Sequence, residues 1–229
     1  MKIVLIADTH GKHKDIKVPD GDLIICAGDI TMLGKKEEIN NFLQWYKELP
    51  HKYKVFIPGN HDFGFERHTS WCKENIPENV IYLNDMGTTI EGIKIWGSPI
   101  TPWFNDWAFN RYRGLNIQQH WRLIPEDTNI LITHGPVYGY ADELDPNHCH
   151  IGEDPHVGCK DLLDYVEKIK PRLFVCGHIH CNGGVIKSNG DTLFVNAASV
   201  SEDYYLHADP IVIEWDEIDT MLNDYDIRL

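Results

Sequence analysis

With 229 residues, 42% hydrophobic and 24% charged, the chain has the size and composition of one ordinary globular domain, read as spanning 1–229. Its 21 basic and 35 acidic residues leave a net charge of −14. That excludes a long nucleic acid or an anionic membrane as the expected partner, since both are held through many Lys and Arg contacts. The first apolar stretch, IVLIA, is cut by Asp8, too short for a bilayer and without a signal-cleavage pattern, and the 6 cysteines form no C-x-x-C pair. A cytoplasmic chain with free thiols is expected.

In chain order, KIVLIAD (2–8), DLIICAGD (22–29) and KVFIPGN (54–60) are short Ile/Val-rich runs that end in polar residues. Such runs predict strands buried on both faces. Between the second and third, EEINNFLQWYKEL (37–49) puts Ile39, Phe42, Leu43 and Tyr46 on one helical stripe, with Pro50 as a stop. TTIEGIKIWGS (88–98) reads as a hairpin. NILITHG (129–135) and RLFVCGHIH (172–180) repeat the buried-strand pattern around a helix over 159–170, whose stripe is Leu162, Leu163, Val166 and Ile169. A hairpin over 184–199 turns at Asn189-Gly190, and PIVIEWD (210–216) is a late strand. Alternating strands and helices with added hairpins predict a layered α/β sandwich.

The polar residues that break the strand runs are the informative ones. They are Asp8 and His10, Asp29, Asn60 and His61, His134, and His178 and His180. In open α/β sheets ligands bind beyond the carboxyl ends of strands, where all of these fall. Imidazole and carboxylate suit divalent transition ions (Mn, Fe, Zn, Co or Ni) better than Ca or Mg. Asp29, with two oxygens, is the natural bridge between two ions about 3.5–4 Å apart. Asn60 supplies oxygen without charge and keeps the centre electropositive. For His178 and His180 both to face one site, the chain must leave strand geometry, and Gly177 is expected to provide that turn.

D-x-H, G-D, G-N-H, H-G and G-H-x-H, in this order, resemble the signature blocks of the calcineurin-like metallophosphoesterases. GSPITPWFNDWAFNRYRG (97–114), LITHGP (131–136) and VNAAS (195–199) are similar to the MPPED-type phosphodiesterases within that superfamily. The resemblance implies a four-layer α/β/β/α sandwich with a dinuclear centre. It places the first ion on Asp8, His10, Asp29 and His180, and the second on Asp29, Asn60, His134 and His178. Catalytic roles fall to Asp29, Asn60 and His61, with His61 protonating the leaving oxygen as a metal-bridging hydroxide attacks in line. Some animal members lack the last histidine of G-H-x-H, whereas His180 is present here. Asp62, where many phosphatases of the superfamily carry Glu, leans toward diesters. The implied activity is hydrolysis of small phosphodiesters such as cyclic nucleotides. The alternatives are a phosphomonoesterase or protein phosphatase on the same fold, or a metal-free scaffold, against which all seven ligand positions stand filled.

Four features stay outside these blocks. Trp103, Phe104, Trp107 and Phe109, with Arg111 and Arg113, either pack internally or line a substrate wall; in the second reading Trp107 stacks on a base and an arginine meets phosphate. The loop DPNHCHIGEDPHVGC (145–159) is read as a lid in preference to an additional ion site on His148, His150 and His156. His13, His51, His68, His120 and His207 are expected at the surface, and the acidic C-terminal segment is read as an ordinary solvated face, with a short helix as the alternative.

Overall fold

A computed structural model describes residues 1–147 and 154–223. Three strands lead, β1 (Lys2–Ile6), β2 (Leu23–Ala27) and β3 (Tyr53–Ile57), with helix α1 (Lys36–Glu48) before the third. Short helices α2 (Phe63–Arg67) and α3 (Thr69–Asn75) precede β4 (Ile81–Tyr82), β5 (Met86–Ile90) and β6 (Ile93–Ser98). A minimal pair, β7 (Thr101–Pro102) and β8 (Asn110–Arg111), precedes α4 (Leu115–Trp121), β9 (Ile130–Thr133), α5 (Lys160–Ile169) and β10 (Leu173–Cys176). The chain then forms β11 (Ile186–Ser188), β12 (Leu193–Asn196), β13 (Ile211–Glu214) and α6 (Ile218–Met221).

The strands form two larger sheets, ordered β13-β1-β2-β3-β4 and β11-β12-β10-β9-β6-β5. Within each, the central strands run parallel: β1 with β2 and β2 with β3, then β6 with β9, β9 with β10 and β10 with β12. The antiparallel edges are β13 and the hairpins β5–β6 and β11–β12. Because side chains alternate along a strand, each central strand feeds two cores. Ile3, Leu5, Leu23, Ile25 and Val55 meet Ile95, Ile130, Ile132, Leu173 and Val175 between the sheets. Val4, Ile6, Ile24, Cys26 and Phe56 turn outward with Ile39, Phe42, Leu43 and Tyr46 of α1, and Leu131, Phe174 and Phe194 with Ile117, Trp121, Leu162 and Val166 of α4 and α5. The result is four layers, helix on sheet on sheet on helix. Each fully buried Ile, Leu or Phe contributes roughly 1.5–3 kcal/mol.

The α1 stripe is buried as its spacing predicts; in α5 only Leu162 and Val166 are fully covered. Two histidines expected at the surface are buried. His13 lies against Phe42 and Trp45, and His51 packs with one ring nitrogen 3.0 Å from the Pro19 carbonyl. His13 opens a one-turn 3-10 helix (His13–Asp15) and His51 follows α1, tertiary placements that a period-based reading does not register. Among the described residues, no helix is long and apolar enough to cross a membrane.

Candidate metal centre

The strand ends explain the site. β1, β2 and β3 of one sheet and β9 and β10 of the other release their chains at one edge, tied there by a bridge between Ala7 and Ala198. Past β1 and β2 the two loops run side by side. The Asp8 N–H donates to the Gly28 carbonyl at 2.9 Å and the His10 N–H to the Asp29 carbonyl at 3.0 Å. These bonds hold Asp8, His10 and Asp29 at φ of 49°, 41° and 51°, and His178 sits at 70°. Left-handed backbone at non-glycine residues is strained by about 1–3 kcal/mol each and concentrates at functional sites. The turn that brings both histidines of G-H-x-H inward is therefore made by His178 itself. Gly177, expected to make it, has no positive φ, and its lack of a Cβ serves close approach instead: an added Cβ would overlap the Asp8 carboxylate.

Three groups of donors converge within 4.8 Å: Asp8, His10 and His180; His10, Asp29 and His61; and Asp29, His134 and His178. Asp29 joins the last two, with Oδ2 3.3 Å from His134 Nε2 and 3.7 Å from His10 Nε2, while Oδ1 accepts the His61 backbone N–H at 2.8 Å. His180 Nε2 lies 3.5 Å from Asp8 Oδ1 and 3.3 Å from His10 Nε2. Asn60 Oδ1 stands 2.8 Å from His134 Nε2. Asp8, His10, Asp29, Asn60 and His134 are all buried.

The donor set fits divalent metal. His134 and His180 each turn Nδ1 to a backbone carbonyl, of Ala27 at 2.9 Å and of Ser201 at 3.1 Å, which leaves Nε2 facing the cluster. Such second partners fix the tautomer of a metal-ligating histidine. His10 Nδ1 is buried with no partner among the described residues, and Asp8 and Asp29 have only histidines as cationic neighbours there. Two buried carboxylates without Lys or Arg call for another positive charge.

Protons supply part of that charge when metal is removed. Burial alone would lower His134, but the charge of Asp29 and direct contact with it push the imidazole up to about 9. Burial brings His10 down to about 4, and burial with the His134 charge brings His178 down to about 3. The His134 value above its ordinary 6.5 stabilises the metal-free fold below pH 6.5, and this stabilisation is lost as pH rises through about 9. Denaturant titration in chelator is expected to show falling stability from pH 6.5 to 9.5, with metal binding at pH 7.5 releasing at least one proton. A flat profile and no proton release would contradict the placement of His134.

Around this cluster, His61 donates Nδ1–H to the Met32 carbonyl at 2.8 Å, and its ring stacks on Trp107 with centroids 4.3 Å apart. Phe104 lies 5.1 Å from the His178 ring. Arg111 is not brought to the cluster: it donates to the Asn110 carbonyl at 2.8 Å and sits 3.7 Å from Glu66. Arg113 donates to the Gly158 and Val157 carbonyls at 2.9 and 2.8 Å, at the edge of a cleft of about 440 Å³ that reaches His178. Asp62 faces away from solvent and staples two loops, accepting from Ile30 N, Thr31 N, Thr31 Oγ1 and Gly59 N. Burial and the charge of Asp29 push its carboxyl up to about 7, against the pull of these donors.

Tyr204 is a site neighbour that motif reading does not single out. Its ring lies edge-on to His10, His180 and His61 at 4.8, 5.8 and 6.2 Å. It reaches them from an irregular loop at φ 61°, marked in sequence only by the aromatic pair after VNAASVSED. His148 and His150 of the expected lid lie outside the described residues. His156 of the same loop pairs with Asp142 at 2.6 Å, away from the donor groups above.

Layered sheets with carboxylate and imidazole donors at their common edge define the class of metal-dependent hydrolases. Residues 1–182 match the calcineurin-like phosphoesterases, and the chain belongs to that family. It is a metal-dependent phosphoester hydrolase. It is similar to the human metallophosphoesterase domain-containing protein 1, at 39% identity over 93% of this chain and 70% of that protein. It is equally similar, at 39% identity, to the UPF0046 protein K07C11.7 of Caenorhabditis elegans, covering 93% of this chain and 74% of the relative. A solved structure of a novel archaeal phosphodiesterase shares the fold, with TM-score 0.50, 16% identity and full coverage of both chains.

Proposed function

We propose that the chain hydrolyses small phosphodiesters, nucleotide and cyclic nucleotide esters among them, at a dinuclear centre. Asp8, His10, Asp29 and His180 would hold one ion, and Asp29, Asn60, His134 and His178 the other. The observation that carries this reading is that Asp29 lies in two donor groups, with His10 and His61 in one and with His134 and His178 in the other, while His10 also belongs to the group of Asp8 and His180. When bound, two divalent ions would polarise the phosphoryl oxygens and supply hydroxide near neutral pH. As the bond from phosphorus to the leaving oxygen breaks, His61 Nε2 would give its proton to that oxygen. Water then reprotonates the imidazole. Tethering of Nδ1 to the Met32 carbonyl supports Nε2 as the working nitrogen.

Preference for a diester is supported by the surroundings. A monoester dianion asks for extra cations, whereas aromatic rings of Phe104, Trp107 and Tyr204 flank the cluster, and Arg113 is engaged by two carbonyls. The cleft reaching His178 is walled by Pro102, Trp103, Phe104, Pro136, Leu144 and Ile179, which suits a flat apolar ester group. A charge of −14 disfavours long polyanions. The described cysteines are all unpaired and four of them buried, which supports a reducing, cytoplasmic compartment. Protein with metal content quantified is assayed with Mn²⁺ on bis-p-nitrophenyl phosphate, p-nitrophenyl phosphate, and 2′,3′- and 3′,5′-cyclic nucleotides. Higher kcat/KM on the diesters is expected; preference for the monoester overturns the reading.

A further inference from the structure

Among the described residues the His61 side chain has a single hydrogen bond to set its ring plane. One bond, from Nδ1 to the Met32 carbonyl, holds the imidazole at a single point, and the terminal torsion of histidine is broad, so small tilts remain open. What fixes the plane is stacking: the Trp107 ring lies parallel within 27° at 4.3 Å, and the His10 ring meets His61 edge-on at 4.6 Å and 85°. The indole is itself held. The Ala108 N–H donates to the Asn60 carbonyl at 3.2 Å, and the Phe109 N–H to Glu66 at 3.1 Å, so the backbone beside Trp107 is tied to the G-N-H loop that carries His61. Phe63 packs on Trp107 at 5.6 Å, and the Arg67 guanidinium covers Phe63 at 4.3 Å. Loop residues Asn105, Asp106 and Phe109 all take positive φ to bring this segment in. A strained loop anchored to a ligand-bearing turn is an expensive way to fill surface and an effective way to aim a ring.

We propose that Trp107 is a positioning residue that orients His61 for proton donation to the leaving oxygen, with its ring engaged by the imidazole instead of by substrate. This rests on the reading of His61 as proton donor. A proton donor matters most when the leaving group is poor, and a misplacement of about 1 Å is enough to lose on the order of 10²-fold in rate.

The test compares bis-p-nitrophenyl phosphate, which leaves readily, with diphenyl phosphate, which does not, in metal-loaded wild type, Trp107→Leu, Trp107→Phe, His61→Ala and the His61→Ala/Trp107→Leu double variant. His61→Ala is expected to lower kcat on diphenyl phosphate by on the order of 10²-fold and by a much smaller factor on the nitrophenyl ester. Trp107→Leu is expected to show the same pattern at about tenfold, with metal content unchanged, and to add nothing in the His61→Ala background. Trp107→Phe, a smaller ring on the same face, gives a graded version and carries the test if the leucine variant does not fold. In metal-free protein, the His61 ring protons lose the indole ring-current shift in Trp107→Leu but keep most of it in Trp107→Phe. A Trp107→Leu variant that raises KM equally on both esters with kcat intact, or whose defect persists without His61, overturns the positioning role. If His61→Ala itself shows no leaving-group dependence, the proton-donor reading fails instead.

Discussion

Asp29→Asn is expected to strip metal from both donor groups and to lower turnover by on the order of 10³-fold, the upper end of what one transition-state-stabilising group contributes. The reason is position. Oδ2 lies within 3.7 Å of His10 Nε2 on one side and 3.3 Å of His134 Nε2 on the other, so one carboxylate serves both groups. The substitution keeps shape and removes charge, so packing of this buried residue is preserved. A second readout needs no metal. His134 is held up at about 9 chiefly by the charge of Asp29 against burial. Removing that charge should abolish the fall in stability between pH 6.5 and 9.5 that the metal-free wild type shows. Metal content by elemental analysis, turnover on the preferred diester and denaturation in chelator make three measurements. A variant that keeps full metal and activity within about tenfold would remove Asp29 from the bridging role.

Most of this site could be read from the chain because the chemistry sits where hydrophobic runs stop. β1, β2, β3, β9 and β10 are continuous apolar segments, and the first polar residues beyond them are the ones that converge. Periodicity likewise delivered α1, whose buried face is Ile39, Phe42, Leu43 and Tyr46. It failed where a helix is short and its first residue exposed: α4 begins at Leu115, 79% exposed, and shows no clear stripe. Side-chain commitments were the least legible. Whether Arg113 meets phosphate or two carbonyls, and whether Trp107 faces a base or His61, depends on loop backbone at positive φ that residue types do not encode. Tyr204 belongs to the same category, since its approach to three histidines is set by a loop some twenty residues beyond G-H-x-H.

Gly177→Ala is expected to be a severely damaging single-methyl change. Gly177 lies just past β10, and its N–H donates to the His134 carbonyl at 3.0 Å. A Cβ there would overlap the Asp8 carboxylate, 2.6 Å from Ala7 Cβ and 3.1 Å from Asp8 Cγ. Asp8 has nowhere to go, because its oxygens accept the His178 N–H at 2.9 and 3.1 Å and it is fully buried. Relief therefore requires the β10 end to move away from the β1 end. That motion separates Asp8 and His10, on one sheet, from His178 and His180, on the other. Overpacking of this kind costs about 1–3 kcal/mol, and each kcal/mol lowers Tm by roughly 2–4 °C for a chain of this size. Metal content and diester turnover should fall together, the latter toward the metal-free background. Gly135→Ala is the matched control beside His134. Its Cβ presses on Thr101 Cγ2 at 3.1 Å, a side chain that can give, and meets His178 Cδ2 only at an ordinary contact distance of 3.9 Å, so metal content should survive. Equal tolerance of both substitutions would mean that the two sheet edges are not pressed together at Asp8, and that the donors from each sheet need not meet.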